Sequence, residues 1–455
     1  MKKLFGTDGI RAVAGQAPLD PATIYAIGLA LAHTLKAVAP APRVLMGMDT
    51  RESSESIAAT LTAGLTAGGA SVENAGVITT PAIAHLTHVH GFGAGIVISA
   101  SHNPWEDNGI KLFGPDGFKL PDSTELAIES EIFTQLEILG APSQTASPFE
   151  VGSQAPPVND ADRAEYIRFL LASVPGLSLD NHRIVIDCAN GAASEVAPQL
   201  FADLGGQVIV THASPTGRNI NLACGALHAE VVASEVVKNN ASIGITLDGD
   251  ADRVLFADET GKVVNGDAVL LLAGRDLHAR GELANATVVA TTMSNMGLEA
   301  ALKRSQIKML RAPVGDKYVL EQMLSTGAAL GGEQSGHIIF TGRSTTGDGL
   351  LTALLLLDIV HHSGQTLAQL TADLKTFPQV IVNVHVREKR PLDQIPTVCE
   401  AIAAAELALA DSGRVVIRYS GTEALARVMI EAESEPLMQH HSQAIANAIR
   451  AELGV

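Results

Sequence analysis

Four short stretches of the chain hold residue types that can do chemistry. The first is GIVISASHNPWEDNGIK, Gly95 to Lys111. An apolar run ends abruptly in Ser99, Ser101, His102, Asn103 and Pro104. Either these are ordinary turn residues, or Ser101 is a nucleophile on an active-site loop. No GxSxG elbow surrounds Ser101 and no Ser-His-Asp order is evident. As the next residue in the chain, His102 is expected to be poorly placed as a general base on that hydroxyl. Lys111 lies beyond a turn at Asn108-Gly109, and its plainer reading is a surface lysine.

The second stretch is DGDADR: Asp248, Asp250 and Asp252, then Arg253. Three carboxylates at alternate positions repel one another unless a cation holds them, and an all-oxygen set suits Mg²⁺ or Ca²⁺. An EF-hand loop is excluded. Its sixth position, which needs glycine, is Arg253, and VLFAD after it has the pattern of a strand. A solvated acidic turn is the alternative. The third stretch, LGGEQSGHIIF, places Glu333, Ser335 and His337 among glycines. Glu333 can accept from hydroxyls and Ser335 can donate or accept, which suits a polyhydroxylated ligand; a tight hairpin is the competing reading. The fourth is RYSGTEALAR. Arg418, Ser420, Gly421, Thr422 and Arg427 combine guanidiniums, hydroxyls and a glycine that frees backbone N–H groups, the makings of a phosphate cradle. Its competitor is an exposed turn with two unrelated arginines.

Two further motifs lead nowhere. HLTHVH places His85, His88 and His90 close together without a nearby acidic or cysteine partner, as histidines on a helix surface. GFGAG from Gly91 precedes a strand, whereas a dinucleotide fingerprint follows one.

These loops need a scaffold that holds strand ends rigidly. The chain has 455 residues, 46% hydrophobic and only 4% aromatic, so Ala, Leu, Val and Gly must do most of the packing across several domains. The net charge of -18, from 31 basic and 49 acidic side chains, argues against nucleic-acid or anionic-membrane partners. Three dispersed cysteines, Cys188, Cys224 and Cys399, suit a reducing compartment without a disulfide framework. MKKLFGTDGIR lacks the apolar core of a signal peptide. LLTALLLLDIV from Leu350 is too short to cross a bilayer and is read as a buried core helix.

Strand and helix patterns alternate. Asp20-Pro21 opens a helix running toward Val38. RVLMGMD, GIVIS, RIVID, QVIVTHA, SIGITLD and ATVVATT have strand patterns, with helices between them. Past Phe377, QVIVNVHV and RVVIRYS flank an Ala-rich helix, and a last helix begins near Pro436. The expected fold is α/β: three βα-type domains with mixed, mainly parallel sheets and a smaller C-terminal α+β domain. The expected limits are residues 1–155, 156–255, 256–372 and 373–455. The Pro/Ser/Gln-rich segment 141–160 reads as a boundary in which edge strands could hide. Ligands of open α/β sheets bind beyond the carboxyl ends of strands, where the first two polar loops must lie.

In order and spacing, FGTDGIR (Phe5 to Arg11), SASHNPWEDNGIKLFGPDG, DGDADR, GGEQSGH and RYSGTE resemble the α-D-phosphohexomutase superfamily across essentially the whole chain. FGTDGIR, DGDADR and GGEQSGH resemble its glucosamine branch more than its phosphomannomutase/phosphoglucomutase branch. The resemblance implies four domains around a central cleft, each contributing one loop. It implies that Ser101 carries a phosphoryl group, and that Asp248, Asp250 and Asp252 with a phosphoserine oxygen bind one Mg²⁺ per subunit. It places Glu333, Ser335 and His337 at the sugar. Arg418, Ser420, Gly421, Thr422 and Arg427 would bind the non-reacting phosphate. Arg11, His102, Lys111 and Arg253 would surround the reacting group, with Lys111 as a proton-transfer group. Ala12, Tyr419 and Ala424 depart from the family pattern without touching these side chains.

The implied reaction interconverts glucosamine 6-phosphate and glucosamine 1-phosphate through a sugar 1,6-bisphosphate, which is intermediate and activator, and feeds UDP-N-acetylglucosamine and cell-wall precursor synthesis. The implied partner is a small hexosamine phosphate, with no nucleic acid or membrane. The setting is cytoplasmic, and a homodimer is compatible with it. Rival readings are a glucose- or mannose-phosphate mutase, a metal phosphatase using Ser101, and a catalytically dead sugar-phosphate binder.

Overall fold

A computed structural model of the chain describes residues 4–6, 8–140, 155–420 and 424–455. It forms two compact units, Met1–Met293 with Ile307–Ala372, and Ser294–Gln306 with Asp373–Val455.

The first unit contains three sheets. One is built from β1 (Ile10–Val13), β2 (Arg43–Met48), β3 (Ser71–Val77), β4 (Ala94–Ile98) and β5 (Asp107–Phe113), in the order β1-β5-β4-β2-β3. The next has β6 (Arg183–Asp187), β7 (Gln207–Thr211), β8 (Ile243–Leu247), β9 (Val254–Asp258) and β10 (Val263–Val264), in the order β10-β9-β8-β6-β7. The third has β11 (Thr287–Thr291), β12 (Lys308–Ala312), β13 (Leu330–Gly332) and β14 (Ile338–Phe340), in the order β12-β11-β13-β14. The expected limit between residues 255 and 256 falls inside β9.

All three sheets share one plan. Three strands run parallel, as in β4-β2-β3, and the last of them turns back into an antiparallel neighbour. The parallel strands β4, β8 and β11 are buried along their whole length, which is why they read as unbroken apolar runs. Each turn from parallel to antiparallel strand holds one of the polar loops: Ser101 between β4 and β5, DGDADR between β8 and β9, and Glu333 to His337 between β13 and β14. The chain therefore places chemically different loops at equivalent positions of three similar sheets.

Helices cover these sheets. Pro21–Lys36 starts as expected, with the Asp20 carboxylate accepting from the Thr23 N–H at 3.1 Å and proline in the first turn. Such a cap contributes about 1 kcal/mol. Gly349–Ser363, the Leu-rich run, is a core helix. Its capping residue Asp348 accepts from the buried Tyr166 hydroxyl at 2.8 Å. His85 on helix Thr80–Val89 stacks on Phe169 at 3.9 Å, and His90 pairs with Glu165. Among the described residues, the HLTHVH histidines form no metal cluster. No helix among them is long and apolar enough to cross a membrane. Most of the expected boundary segment lies outside the described residues, but Val158 bridges to Asn74 at the edge of the first sheet.

The second unit is an antiparallel sheet of β15 (Gln379–His385), β16 (Gly413–Tyr419) and β17 (Leu425–Ala432), in the order β15-β17-β16. Helices Pro396–Leu409 and Glu435–Leu453 bury Val398, Ile445 and Ile449 against Val428 and Ile430.

Candidate active site

The Ser101 loop is held from beneath by a buried frame. Asp49 and Arg51 follow β2 directly, and their side chains pair at 2.8 Å with no solvent exposure. The Arg51 guanidinium donates to the carbonyls of Ser101 (2.9 Å), Asn103 (2.9 Å), Asp107 (2.9 Å) and Pro104. The Ser99 hydroxyl donates to Asp49 at 2.6 Å and accepts from the Ser101 N–H at 2.9 Å. With its carbonyl tied down, Ser101 takes a left-handed backbone, φ +53°. For a non-glycine residue this is a strained state that surrounding structure must impose.

That turn corrects one sequence expectation. The left-handed Ser101 brings the adjacent imidazole round, so His102 Nδ1 lies 3.1 Å from Ser101 Oγ. Burial lowers the His102 pKa, and the Arg253 and Arg11 guanidiniums reinforce this, to about 4. The ring is therefore neutral at pH 7.

The second sheet delivers the acidic turn against this loop. Ser101 Oγ donates to Asp248 Oδ2 at 2.6 Å. Asn221 Nδ2 donates to the carbonyls of Ser101 at 2.9 Å and Asn103 at 3.2 Å. Gly249 accounts for the close approach: a Cβ there would sit 2.5 Å from the Ser101 carbonyl oxygen.

Asp248, Asp250 and Asp252 are buried, with ligand atoms within 4.8 Å of one another. Lys111 is no surface lysine. It is 2% exposed, and its ammonium reaches Asp250 (2.7 Å), Asp8 (3.0 Å) and Asp252 (3.3 Å). Burial opposes the charged amine, but these three carboxylates hold its pKa well above the usual lysine range. The Asp248 pKa is raised as well, which here favours the neutral form: burial first, then Asp252 and Asp250, push its carboxyl well above the usual range. Oδ1 of Asp250 and Oδ1 of Asp252 are buried without a hydrogen-bond donor among the described residues. Buried acceptors without donors are costly, and a hard divalent cation satisfies several at once. The residues present thus fit such an ion.

A cleft of about 410 Å³ opens beside these groups, lined by Asp8, Arg11, His102, Asp252, Arg253 and Glu333 among others. From the third sheet, Glu333 Oε1 accepts from the Gly315 N–H at 3.0 Å, and Ser335 is exposed. The hairpin that was the competing reading of this loop is present, with β13 paired to β14. His337 also lines the cleft but is 2% exposed, its Nε2 3.5 Å from Asp316 Oδ2. Lys119 bridges Asp8 (2.5 Å) and Asp316. The first unit thus brings together Arg11, Ser101, His102, Lys111, Asp248, Asp250, Asp252, Arg253, Glu333 and His337.

The second unit carries the fourth loop. Arg418 on β16 and Arg427 on β17 are direct cross-strand partners. Like charges so placed are destabilising unless an anion or acid compensates. Lys389 Nζ adds a third cation, donating to the Ser420 carbonyl at 2.6 Å. Gly421 and Thr422 lie outside the described residues.

Sequence reasoning missed Asp49, Arg51, Asn221, Asp8, Lys119 and Lys389. For the first two a signal was present: the buried strand RVLMGM ends in the charged and polar run DTRESS, the same pattern that drew attention to Ser101.

Matches to known families span nearly the whole chain. Four domain families match in order, described as phosphoglucomutase/phosphomannomutase alpha/beta/alpha domain I (residues 2–138), domain II (164–261), domain III (265–377) and C-terminal domain (381–448). The chain belongs to the phosphoglucomutase/phosphomannomutase family. Members similar to it over their full length include proteins named phosphoglucosamine mutase from Koribacter versatilis (57% identical, covering 100% of this chain and 98% of that protein) and Solibacter usitatus (52%, covering 100% and 99%). Among solved structures, a phosphoglucomutase/phosphomannomutase family protein from Burkholderia thailandensis shares the fold with a TM-score of 0.78 at 22% identity, covering 99% of each chain. An Aspergillus fumigatus N-acetylphosphoglucosamine mutase in complex with GlcNAc-6P and magnesium does so with a TM-score of 0.63 at 20% identity, covering 99% and 96%.

Proposed function

We propose that the chain catalyses the phosphoglucosamine mutase reaction, interconverting glucosamine 6-phosphate and glucosamine 1-phosphate through phosphorylated Ser101 and a sugar 1,6-bisphosphate. The observation that carries this reading is the buried Ser101 hydroxyl, 2.6 Å from a carboxylate of the Asp248-Asp250-Asp252 set, beside a polar cleft. The substrate class rests on full-length relatives at 44–57% identity, all named phosphoglucosamine mutase.

Phosphoserine 101 gives its phosphoryl group to O1 of glucosamine 6-phosphate. The P–Oγ bond breaks, a P–O1 bond forms, and the proton of the sugar hydroxyl passes to the freed Ser101 Oγ. After the bisphosphate turns round, its P–O6 bond breaks as a P–Oγ bond forms on Ser101, and the proton leaving Oγ passes to O6. No water is consumed, which separates a mutase from a phosphatase. Neutral His102 can take a proton near Oγ, whereas Lys111, held as an ammonium, serves as donor and counter-charge. Arg11 and Arg253 neutralise charge on the moving group. Asp248, Asp250, Asp252 and a phosphoserine oxygen would hold one Mg²⁺, which when bound supplies charge neutralisation for phosphoryl transfer. Glu333, Ser335 and His337 serve the sugar. Arg418, Ser420, Gly421, Thr422 and Arg427 serve the phosphate that is not reacting. The setting proposed is cytoplasmic and the assembly a homodimer.

The test is a panel of glucosamine, glucose and mannose phosphates, with and without Mg²⁺ and catalytic sugar bisphosphate. Mg²⁺-dependent isomerisation fastest with glucosamine phosphate is expected. Release of inorganic phosphate without isomerisation would overturn the assignment.

A further inference from the structure

A second group of metal-ligating side chains lies outside the cleft. Asp187 ends β6, His212 follows β7, and Cys224 lies in the segment leading to helix Ala229–Asn239. One ligand atom from each lies within 4.8 Å of the other two. We infer that Asp187, His212 and Cys224 form a second cation site, for a borderline-soft divalent ion such as Zn²⁺.

The donor set separates this site from the triple-aspartate turn. Carboxylate, imidazole and thiol together suit zinc rather than magnesium. Asp187 Oδ1 and His212 Nδ1 are 3.2 Å apart, yet His212 Nδ1 is buried without a hydrogen-bond partner among the described residues. The two atoms face each other closely without the alignment of a hydrogen bond. A tetrahedral ion with bonds of about 2.0 Å to oxygen and nitrogen sets these ligands roughly 3.3 Å apart. A second shell is in place: Asp187 accepts from the N–H of Ala189 at 2.9 Å and of Gly225 at 3.0 Å, which fixes its carboxylate. The His212 side chain is 33% exposed, giving an entry path and room for water as fourth ligand. On binding, a sulfur–metal bond replaces the Cys224 S–H bond and the proton goes to solvent, while His212 and Asp187 contribute lone pairs.

The site also has a mechanical consequence. Asn221, which holds the Ser101 and Asn103 carbonyls, is on the same segment as Cys224, and its N–H donates to Ala189 O at 2.9 Å. An ion at Cys224 would brace the segment that clamps the Ser101 loop.

The inference does not depend on the proposed reaction, and Co²⁺ can test it optically. Full-length protein is titrated with Co²⁺ under saturating Mg²⁺, which occupies the all-oxygen turn. The wild type is expected to show a near-ultraviolet thiolate-to-cobalt charge-transfer band that saturates at one equivalent. The band should be lost in Cys224→Ser, and its affinity should fall at least tenfold in His212→Ala. A Cys188→Ser/Cys399→Ser double variant, which keeps Cys224 as its one thiol, should retain it, so the result stands even if Cys224→Ser fails to fold. Absence of the band in wild type, or its loss in the double variant, would overturn the site.

Discussion

Replacing Arg51 with methionine should loosen the Ser101 loop without touching the cleft. The guanidinium is wholly buried, pairs with Asp49, and donates to four carbonyls between Ser101 and Asp107. Arg51→Met leaves Asp49 without its counter-charge and those carbonyls without their donor. Removing one partner of a buried ion pair costs about 3–5 kcal/mol. The lost hydrogen bonds are part of that cost, because the same group makes them all. At about 1.4 kcal/mol per tenfold, amide exchange across residues 99–108 should accelerate roughly 10²- to 10⁴-fold. With Ser101 in the role proposed above, a shift of its hydroxyl near 1 Å should also lower kcat by about 10²-fold. Burial is the largest influence on Asp49 and already raises its pKa despite Arg51. Adding Asp49→Asn should therefore recover part of the protection by removing the stranded charge. Exchange measured by mass spectrometry on the single and double variants reads this directly. Protection within threefold of wild type in Arg51→Met would refute the claim that this frame holds the loop.

Three other perturbations probe different parts of the site. Gly249→Ala places a methyl group 2.5 Å from the Ser101 carbonyl oxygen and 2.9 Å from Asn221 Nδ2, so kcat should fall at least about 10²-fold in steady-state assays with modest change in KM. Lys111→Met removes the one ammonium shared by Asp8, Asp250 and Asp252; denaturant unfolding should show a loss of about 3–5 kcal/mol, and Mg²⁺ should stabilise this variant more than wild type. Asp348 is buried, and burial raises its pKa to about 6 although the Leu351 N–H and Tyr166 hydroxyl favour the carboxylate. A carboxyl whose folded pKa lies above its unfolded value binds its proton more tightly when folded. Its contribution is therefore fully present below about pH 4 and lost as pH rises through about 6, by up to roughly 3 kcal/mol. Asp348→Asn should flatten that segment of the stability–pH curve; an unchanged curve would contradict the assignment.

The four loops were legible because each contrasts locally with its surroundings: hydroxyls, carboxylates or glycines at the end of an apolar run. Their supports were harder to see. Arg51 and Asp49 sit about fifty residues before the loop they hold, and Asn221 lies in the segment between β7 and helix Ala229–Asn239; pairing over such distances leaves no periodic trace. A surface lysine remained the plainer reading of Lys111 beside its proton-transfer role, because its burial depends on three carboxylates from two separate segments. The His102 geometry depended on one backbone torsion at Ser101, a residue type that seldom adopts it. The repeated plan of the three sheets shows in the sequence only as apolar runs ending in polar turns, as in GIVISASHN and GITLDGDAD, since strand order is set by packing and not by a strict repeat.

The most direct test of the account follows one phosphoryl group. Protein labelled with radioactive phosphate on Ser101 is mixed with unlabelled glucosamine 6-phosphate for a single turnover. The label should leave the protein at the rate of catalysis and appear in sugar bisphosphate and then in sugar monophosphate. Label that stays on the protein while product forms, or that emerges as inorganic phosphate, would contradict a serine that lends its phosphoryl group and takes one back.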